Sequence, residues 1–224
     1  DNYATIVSAV REGRTIFSNI RKFIRYTMTS NAGEVMVMLL APFLGMPLPL
    51  TALQILWINL VTDGLPGLAL SIEPTEENTM NRPPIDPKKG VFSDGISFQI
   101  IWVGILMALI SLGVGYWGWA TGNPYWQTMI FTTLTLSQMG NALAARSDIR
   151  SLFQQGLRTN YAMLGAVSLT LILQLFITYF QPLNGVFKTQ PLPFQELLIS
   201  LGASLGVFTA VEIEKLIKRL RTNH

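Results

Sequence analysis

Two acidic side chains stand alone in long apolar stretches of this sequence. Between Arg25 and Glu73 the only formal charges are Glu34 and Asp63. Each has oxygen-bearing company at helical spacing: Asn31 lies one turn before Glu34, and Asn59 and Thr62 share a predicted face with Asp63. Carboxylates, amides and hydroxyls gathered together suit a hard cation, which prefers oxygen ligands. Asp63-Gly64-Leu65-Pro66 sets a flexible residue and a helix breaker beside the acid. At membrane depth such a break frees backbone carbonyls, which is tolerated only where they line a cavity or bind ions. The plainer alternative is a proline kink with Asp63 hydrogen-bonded to a neighbouring helix. Two acids, three polar companions and a broken helix favour the ion reading. Gln138 and Asn141 lie one turn apart, with Ser137 adjacent. They either complete a coordination shell from a third helix or act as hydrogen-bonding glue between helices.

The elements that must position these residues are predicted to be membrane spans. Half of the 224 residues are apolar and 13% are charged, against about a quarter charged in ordinary soluble domains. No charge falls between Asp94 and Arg146 or between Arg158 and Lys188. A bilayer core takes about 20 mostly apolar residues per helix, so each charge-free stretch holds one or two crossings. Six segments follow, at 23–44, 50–71, 96–119, 125–144, 160–181 and 193–213. Short, nearly uncharged turns separate alternate pairs: Pro42, Gly45, Pro47 and Pro49; then Gly122, Asn123 and Pro124; then Pro182, Asn184 and Gly185. The other boundaries collect Arg11, Arg14, Arg21, Lys22 and Arg25; Arg82, Lys88 and Lys89; Arg146, Arg150 and Arg158; and Lys215, Lys218, Arg219 and Arg221. Only Lys188 lies on the other side. Short loops rich in Lys and Arg stay cytoplasmic, which places both termini there.

The expected fold is therefore all-α: a polytopic membrane bundle of six transmembrane helices with an N-terminal cytoplasmic stalk. Residues 1–22 are the stalk, too polar to span, with Ile6, Val10, Ile16, Phe17 and Ile20 recurring at nearly helical spacing. A surface amphipathic helix is the alternative there, but no breaker separates this stretch from the first span. Residues 23–71 form the hairpin that carries the ion-site residues. Residues 72–95, with Pro74, Pro83, Pro84, Pro87 and Gly90, form an irregular cytoplasmic loop. Residues 96–214 supply four further spans, and 215–224 a basic cytoplasmic tail. That tail is either a topogenic flank or a contact for anionic lipid.

Several function classes are excluded or disfavoured. Without cysteine, no disulfide, thiolate metal site or cysteine nucleophile is possible. The net charge of +3 sits in flanks of apolar runs, which argues against nucleic acid as a partner. No phosphate-binding GxxxxGK[ST], HExxH or GxSxG motif occurs, so no catalytic residue is assigned. Glu196, Glu212 and Glu214 lie near the ends of the last span and read as interfacial pairs. Trp57, Trp102, Trp117, Trp119 and Trp126 read as interfacial or packing residues, and the lone His224 has no ligand partner. The opening Asp1-Asn2-Tyr3 has no signal-peptide pattern and no initiator methionine, and is read as a fragment boundary.

SNAGE at 30–34, NLVTDGLP at 59–66, MNRPP at 80–84 and QMGNAL at 138–143 closely resemble the C-terminal half of calcium-type P-type ATPases. The opening DNYATIVSAVREGR is similar to that family's junction from the phosphorylation domain into its fifth membrane helix. The resemblance covers essentially the whole chain and makes the six spans the family's fifth to tenth. It implies cation ligation by Asn31 and Glu34 and by Asn59, Thr62 and Asp63, beside which Gln138 and Asn141 stand as the candidate ligands from the third helix. Two-site pumps carry an acid where this chain has Gln138, which points to one calcium ion per cycle. The DKTGT and TGES motifs, the nucleotide-binding domain and the fourth helix with its PEGL-type break are not in this sequence.

The resemblance thus implies calcium as transported substrate, with magnesium and ATP confined to the missing catalytic domains. The expected partners are the lipid bilayer and the missing N-terminal part of the same pump, and no oligomer is implied. A carboxylate in a low-dielectric site favours protonation once its cation leaves, so protons are expected to return through Glu34, Asp63 or both. By itself the chain is expected neither to form the aspartyl phosphate nor to pump. The expected location is the plasma membrane in a bacterium, and otherwise an organelle or plasma membrane. Pumps for sodium, manganese or another cation remain alternatives, as does a naturally short non-enzymatic module that associates with a pump. An unrelated channel is disfavoured by the stalk and by NLVTDGLP.

Overall fold

The computed structural model describes residues 3–76, 79–81, 90–93, 95–147 and 150–222. These form helices and connecting turns, with no strand among the described residues. Asp1, Asn2, Arg82, Pro83, Pro84, Pro87, Lys88, Lys89, Asp94 and His224 lie outside them, as does part of the MNRPP motif.

Helix α1 runs unbroken over Tyr3–Phe43, about 60 Å at 1.5 Å per residue. Its buried residues include Thr15, Asn19, Lys22, Tyr26, Thr29, Gly33, Val37 and Ala41. Their three- and four-residue spacing forms one continuous stripe. The helix stops at a Schellman turn, with Gly45 at φ 74°. There the Met46 N–H reaches the Ala41 carbonyl at 3.1 Å and the Gly45 N–H the Pro42 carbonyl at 3.0 Å. Thr51 and Gln54 then form a reciprocal capping box that starts α2, Ala52–Trp57. A π turn over Ile58–Thr62 carries the chain into α3, Gly64–Ser71.

The stripe on α1 packs chiefly on α4, Ile96–Ala120. The two backbones come close because small residues meet: a Cβ on Gly104 would lie 2.8 Å from the Ala32 Cβ and 3.3 Å from the Thr29 carbonyl oxygen. Helix α5, Trp126–Ala144, sits at the centre of the bundle and touches α1, α3, α4, α7 (Tyr161–Tyr179) and α9 (Phe194–Thr222). A single-turn helix α6, Leu152–Gln155, and a short 3-10 turn at Leu157–Thr159 precede α7.

The expected turn at Pro182, Asn184 and Gly185 is instead a short helix, α8, Gln181–Phe187. Pro182 has no N–H for the Thr178 carbonyl. The Asn184 side chain supplies the donor at 2.9 Å, so the bend is satisfied locally. Helix α9 continues beyond 213 to Thr222 and takes the described part of the basic tail into its last turns.

Four stretches are long and apolar enough to cross a membrane: Ala52–Ser71, Ile96–Ala120, Tyr161–Tyr179 and Phe194–Leu220. These four and the polar centre define an integral membrane protein. The α1 and α5 helices fall short in apolarity, for a visible reason. Helix α5 is enclosed by its neighbours and buries Thr128, Thr132, Thr133, Thr135, Ser137, Gln138 and Asn141. A helix shielded from lipid need not be apolar all round. The α1 stripe is likewise polar where it faces inward, at Asn19, Lys22, Arg25, Thr29, Ser30 and Glu34.

Replacing Gly104 by Ala should lower stability by about 1–3 kcal/mol through overpacking against Ala32 and Thr29. Gly113→Ala, with nothing within 4 Å of the new methyl group, should be neutral or slightly stabilising. Thermal unfolding of the two variants in detergent would measure the difference.

Candidate cation site

The site is built where the stripe of α1 meets the broken helix α2–α3 and the buried face of α5. Glu34 is 4% exposed and is held from two sides. The Gln138 amide of α5 donates to its Oε1 at 3.0 Å, and the Asn59 amide of the π turn to its Oε2 at 3.1 Å. Asn59 also donates to the Ile55 carbonyl at 3.0 Å. Asp63, 3% exposed, accepts the Tyr26 hydroxyl at Oδ1 (3.3 Å).

The break at Asp63-Gly64-Leu65-Pro66 takes a form that the sequence reading did not anticipate. The helix widens rather than unwinds: the Asp63 N–H bonds five residues back, to the Ile58 carbonyl at 2.8 Å. Pro66 cannot serve the carbonyl four residues before it, that of Thr62. The Tyr26 hydroxyl serves it instead, at 3.0 Å. The freed carbonyl is therefore paired with α1. The π turn also separates residues expected on one face: Asn59 is exposed and turned to Glu34, whereas Thr62 and Asp63 are buried.

Several buried oxygens in this region have no hydrogen-bond partner. They are Asp63 Oδ2, Thr62 Oγ1, Ser30 Oγ, Ser137 Oγ and Gln138 Oε1. Leaving such a group unsatisfied costs about 1–3 kcal/mol, so their gathering on adjoining helices favours an electropositive guest. Asn31 lies with Glu34 and Asn59 on a groove of 670 Å³, whose other walls are Val35, Met38, Leu39 and Ile55. The site thus lies between α1, the π turn and α5 and opens towards this groove. Asn141 faces elsewhere, into a small cavity of 10 Å³ bounded by Arg25, Tyr26, Thr29, Gln99 and Lys215. Among the described residues no three His, Asp or Glu side chains converge as a metal-ligand group. Amides and hydroxyls must therefore contribute alongside the two carboxylates.

A second polar cluster, which the sequence reading missed, fixes the helices at the end of the bundle where Lys and Arg collect. Arg146 and Glu73, each with its side chain 1% exposed, form a forked pair. Arg146 donates from Nε at 3.1 Å and from Nη2 at 2.9 Å to Glu73 Oε1. Asn160, the N-cap of α7, donates to Glu73 Oε2 at 2.6 Å and to the Ala69 carbonyl at 3.2 Å. Asn19 of α1 reaches the Glu73 carbonyl at 2.7 Å. Arg25 bridges Gln99 (3.3 Å) and the Ala145 carbonyl (2.9 Å), and Lys22 pairs with Glu76 at 2.9 Å.

In the sequence these cations marked only a topological side. Their structural roles left no periodic signal, because the partners lie on other helices. The terminal acids of α9 do pair at its ends: Asn123 donates to Glu196 at 3.2 Å, Lys215 meets Glu212 at 2.7 Å and Lys218 meets Glu214 at 2.5 Å.

A polytopic helical membrane protein with an oxygen-rich site between a long helix, a π-broken helix and a buried polar helix is the class that these features define. Comparison with known proteins narrows it. Residues 47–217 match the family described as "Cation transporting ATPase, C-terminus". The chain is 40% identical over 207 residues to a calcium-transporting ATPase of Bacillus subtilis, covering 91% of this chain and 23% of that protein. It is 35% identical over 228 residues to calcium-transporting ATPase type 2C member 1 of Homo sapiens, covering 99% of this chain and 24% of that protein. The chain belongs to the cation-transporting ATPase C-terminal family, and within it to the C-terminal membrane region of the calcium type. It spans about a quarter of the length of these relatives.

Tyr26→Phe keeps the ring but leaves the Thr62 carbonyl and Asp63 Oδ1 without their donor, and should cost about 1–3 kcal/mol in detergent unfolding. Arg146→Gln strands the buried Glu73 carboxylate and should cost about 3–5 kcal/mol. The exposed control Lys218→Gln should change stability by less than about 1 kcal/mol. Equal effects of the last two in the same unfolding assay would mean that the Glu73–Arg146 pair contributes nothing special.

Proposed function

We propose that this chain is the ion-binding membrane part of an ATP-driven P-type calcium pump. The observation that carries the reading is the pairing of Glu34 with donors from two other helices, beside buried oxygens that lack any partner. Asn31, Glu34, Asn59, Thr62, Asp63 and Gln138 are the ligands on this reading. The Gln138 amide can keep its bond to Glu34 through nitrogen while its unpartnered oxygen faces the cation. Asn141, which faces a different cavity, is not among the ligands on this reading. One divalent cation balances two carboxylates among otherwise neutral ligands, which favours a single calcium ion per cycle. Protons occupy Glu34, Asp63 or both on the return step, so that the site is never left with two uncompensated buried charges.

On this reading α1 and α5 also cross the membrane, which makes six spans, with 3–22 as a cytoplasmic stalk. The alternation of Lys- and Arg-rich boundaries with nearly uncharged turns favours cytoplasmic termini. The open groove beside Asn31, Glu34 and Asn59 is where the portion present in the relatives but outside this chain completes the ligand shell. That portion also supplies the ATP and magnesium chemistry, so the residues described here do not pump alone. Phosphorylation there displaces α1. Because α1 carries both Tyr26 and Glu34, its movement breaks the bond to the Thr62 carbonyl and shifts Glu34 against Gln138. Access and affinity then change together.

ATP-driven uptake of radioactive calcium into sealed vesicles should occur with the full-length pump and fall to background in Glu34→Gln and Asp63→Asn. Thermal unfolding without calcium should show that both variants remain folded. ATP hydrolysis without calcium uptake would reject the calcium reading in favour of sodium, manganese or another cation. Pumping that persists with both acids replaced would remove them from the ion and proton path.

A further inference from the structure

A second groove lies on the outer side of α9 where it passes α6. It has a volume of 540 Å³. Leu205, Phe208, Ile213 and Leu216 supply its apolar wall, and Ser151, Lys215 and Arg219 its polar end, with Glu212 between. From Leu205 to Arg219 the helix advances about 21 Å. That length takes in one leaflet's share of the hydrocarbon core, about 15 Å, and the headgroup level beyond it.

The charges at the polar end do not cancel. Glu212 is matched by Lys215, whose Nζ lies 2.7 Å from its Oε1. Arg219 remains as the excess cation. It is steadied over the groove by a 2.7 Å bond from Nη1 to the Gln154 Oε1 of α6. A guanidinium carries five donors in a planar fork that fits phosphate, and one nitrogen is directed to Gln154. The Ser151 hydroxyl joins the same rim, although it also caps α6 by accepting the Gln154 N–H at 3.3 Å. Phe153, on that single turn, is 82% exposed, an unusual position for a large aromatic unless it meets the acyl boundary of a bilayer. A cationic rim above an apolar furrow of leaflet length is complementary to one kind of occupant.

We propose that this groove holds an anionic glycerophospholipid, with its phosphate at Arg219 and Ser151 and an acyl chain along Ile213, Phe208 and Leu205. The site joins α6 to α9 through the lipid and ties the start of the α7 segment to the last helix. It rests on the reading of α9 as a transmembrane helix with this end at the membrane surface. It does not depend on which ion is transported.

The test uses the intact pump, equilibrated in vesicles of phosphatidylcholine with phosphatidylglycerol and then extracted in mild detergent. Mass spectrometry counts the lipid that stays bound. The wild-type protein should retain phosphatidylglycerol in preference to phosphatidylcholine. Arg219→Gln should lower that retention about fivefold, matching the roughly 1 kcal/mol that one cation contributes at an anionic surface. Leu205→Trp, which fills the furrow without touching the charges, should lower it as well. Lys218→Gln removes an equal charge from outside the groove and should leave retention unchanged.

An equal loss in Lys218→Gln and Arg219→Gln would reduce the effect to general surface charge and overturn the site. Retained phosphatidylcholine with no preference for phosphatidylglycerol would overturn it too. So would a doubled particle mass with no bound lipid, which would assign the groove to a second copy. Retention of no lipid of either class by a monomer would overturn the site as well, while leaving the transmembrane reading of α9, which rests on its length and apolarity, untouched.

Discussion

A carboxylate enclosed by helices must have donors or a cation, because its desolvation is otherwise uncompensated. Much of the architecture follows from satisfying Glu34 and Asp63. Neither can be served by its own helix alone, since the helical backbone has already committed its N–H groups to the intrahelical ladder. The donors therefore come from elsewhere: Gln138 from α5, Asn59 from the π turn and Tyr26 from α1. That requirement brings α1, α3 and α5 together. It also explains why the most enclosed helix of the bundle is among the most polar, with its threonines, Ser137, Gln138 and Asn141 directed inward.

Two proline bends are satisfied by the same device. A proline leaves the carbonyl four residues earlier without its usual donor. Tyr26 supplies that donor for Thr62, and Asn184 supplies it for Thr178. The first donor comes from another helix and so couples two elements. The second is local and only shapes a turn. A break that depends on a partner helix is the one able to respond when that helix moves, and it is the one beside Asp63.

The polar cluster around Glu73 and Arg146 holds the opposite kind of site. The Glu73 carboxylate accepts hydrogen bonds from Arg146 after α5, from Gln155 of α6 and from Asn160 at the cap of α7, and its backbone carbonyl accepts one from Asn19 of α1. A fully paired cluster resists rearrangement, whereas the oxygens near Asp63 and Gln138 are left without partners. The molecule therefore has a rigid polar frame at the Lys- and Arg-rich end and an unsatisfied polar pocket within the bundle. Small residues tighten the bundle along its length, since Gly104 and Gly115 let α4 approach α1 and α5 closely.

Charge-free stretches of spanning length, two of the three short turns between them and the two isolated acids are legible in the sequence, because they depend on one-dimensional spacing; the third turn is the short helix α8. Most helix limits agree with that reading to within a few residues, and the NLVTDGLP and QMGNAL motifs led to the family that the comparisons show. Other features depended on partners distant in sequence. Tyr26 carries no signal in the sequence, and only the fold brings its hydroxyl to the carbonyl left open by Pro66; Arg146 reads as a topological marker until it meets Glu73, 73 residues away. Helices α1 and α5 fall below the apolarity of the four candidate spans because the residues they bury are largely polar. Local composition sets the long helices and the acids isolated within them, since both are read along one dimension of the chain. Which oxygens pair and which remain open is a matter of packing geometry, since a hydrogen bond between helices leaves no local pattern in the chain.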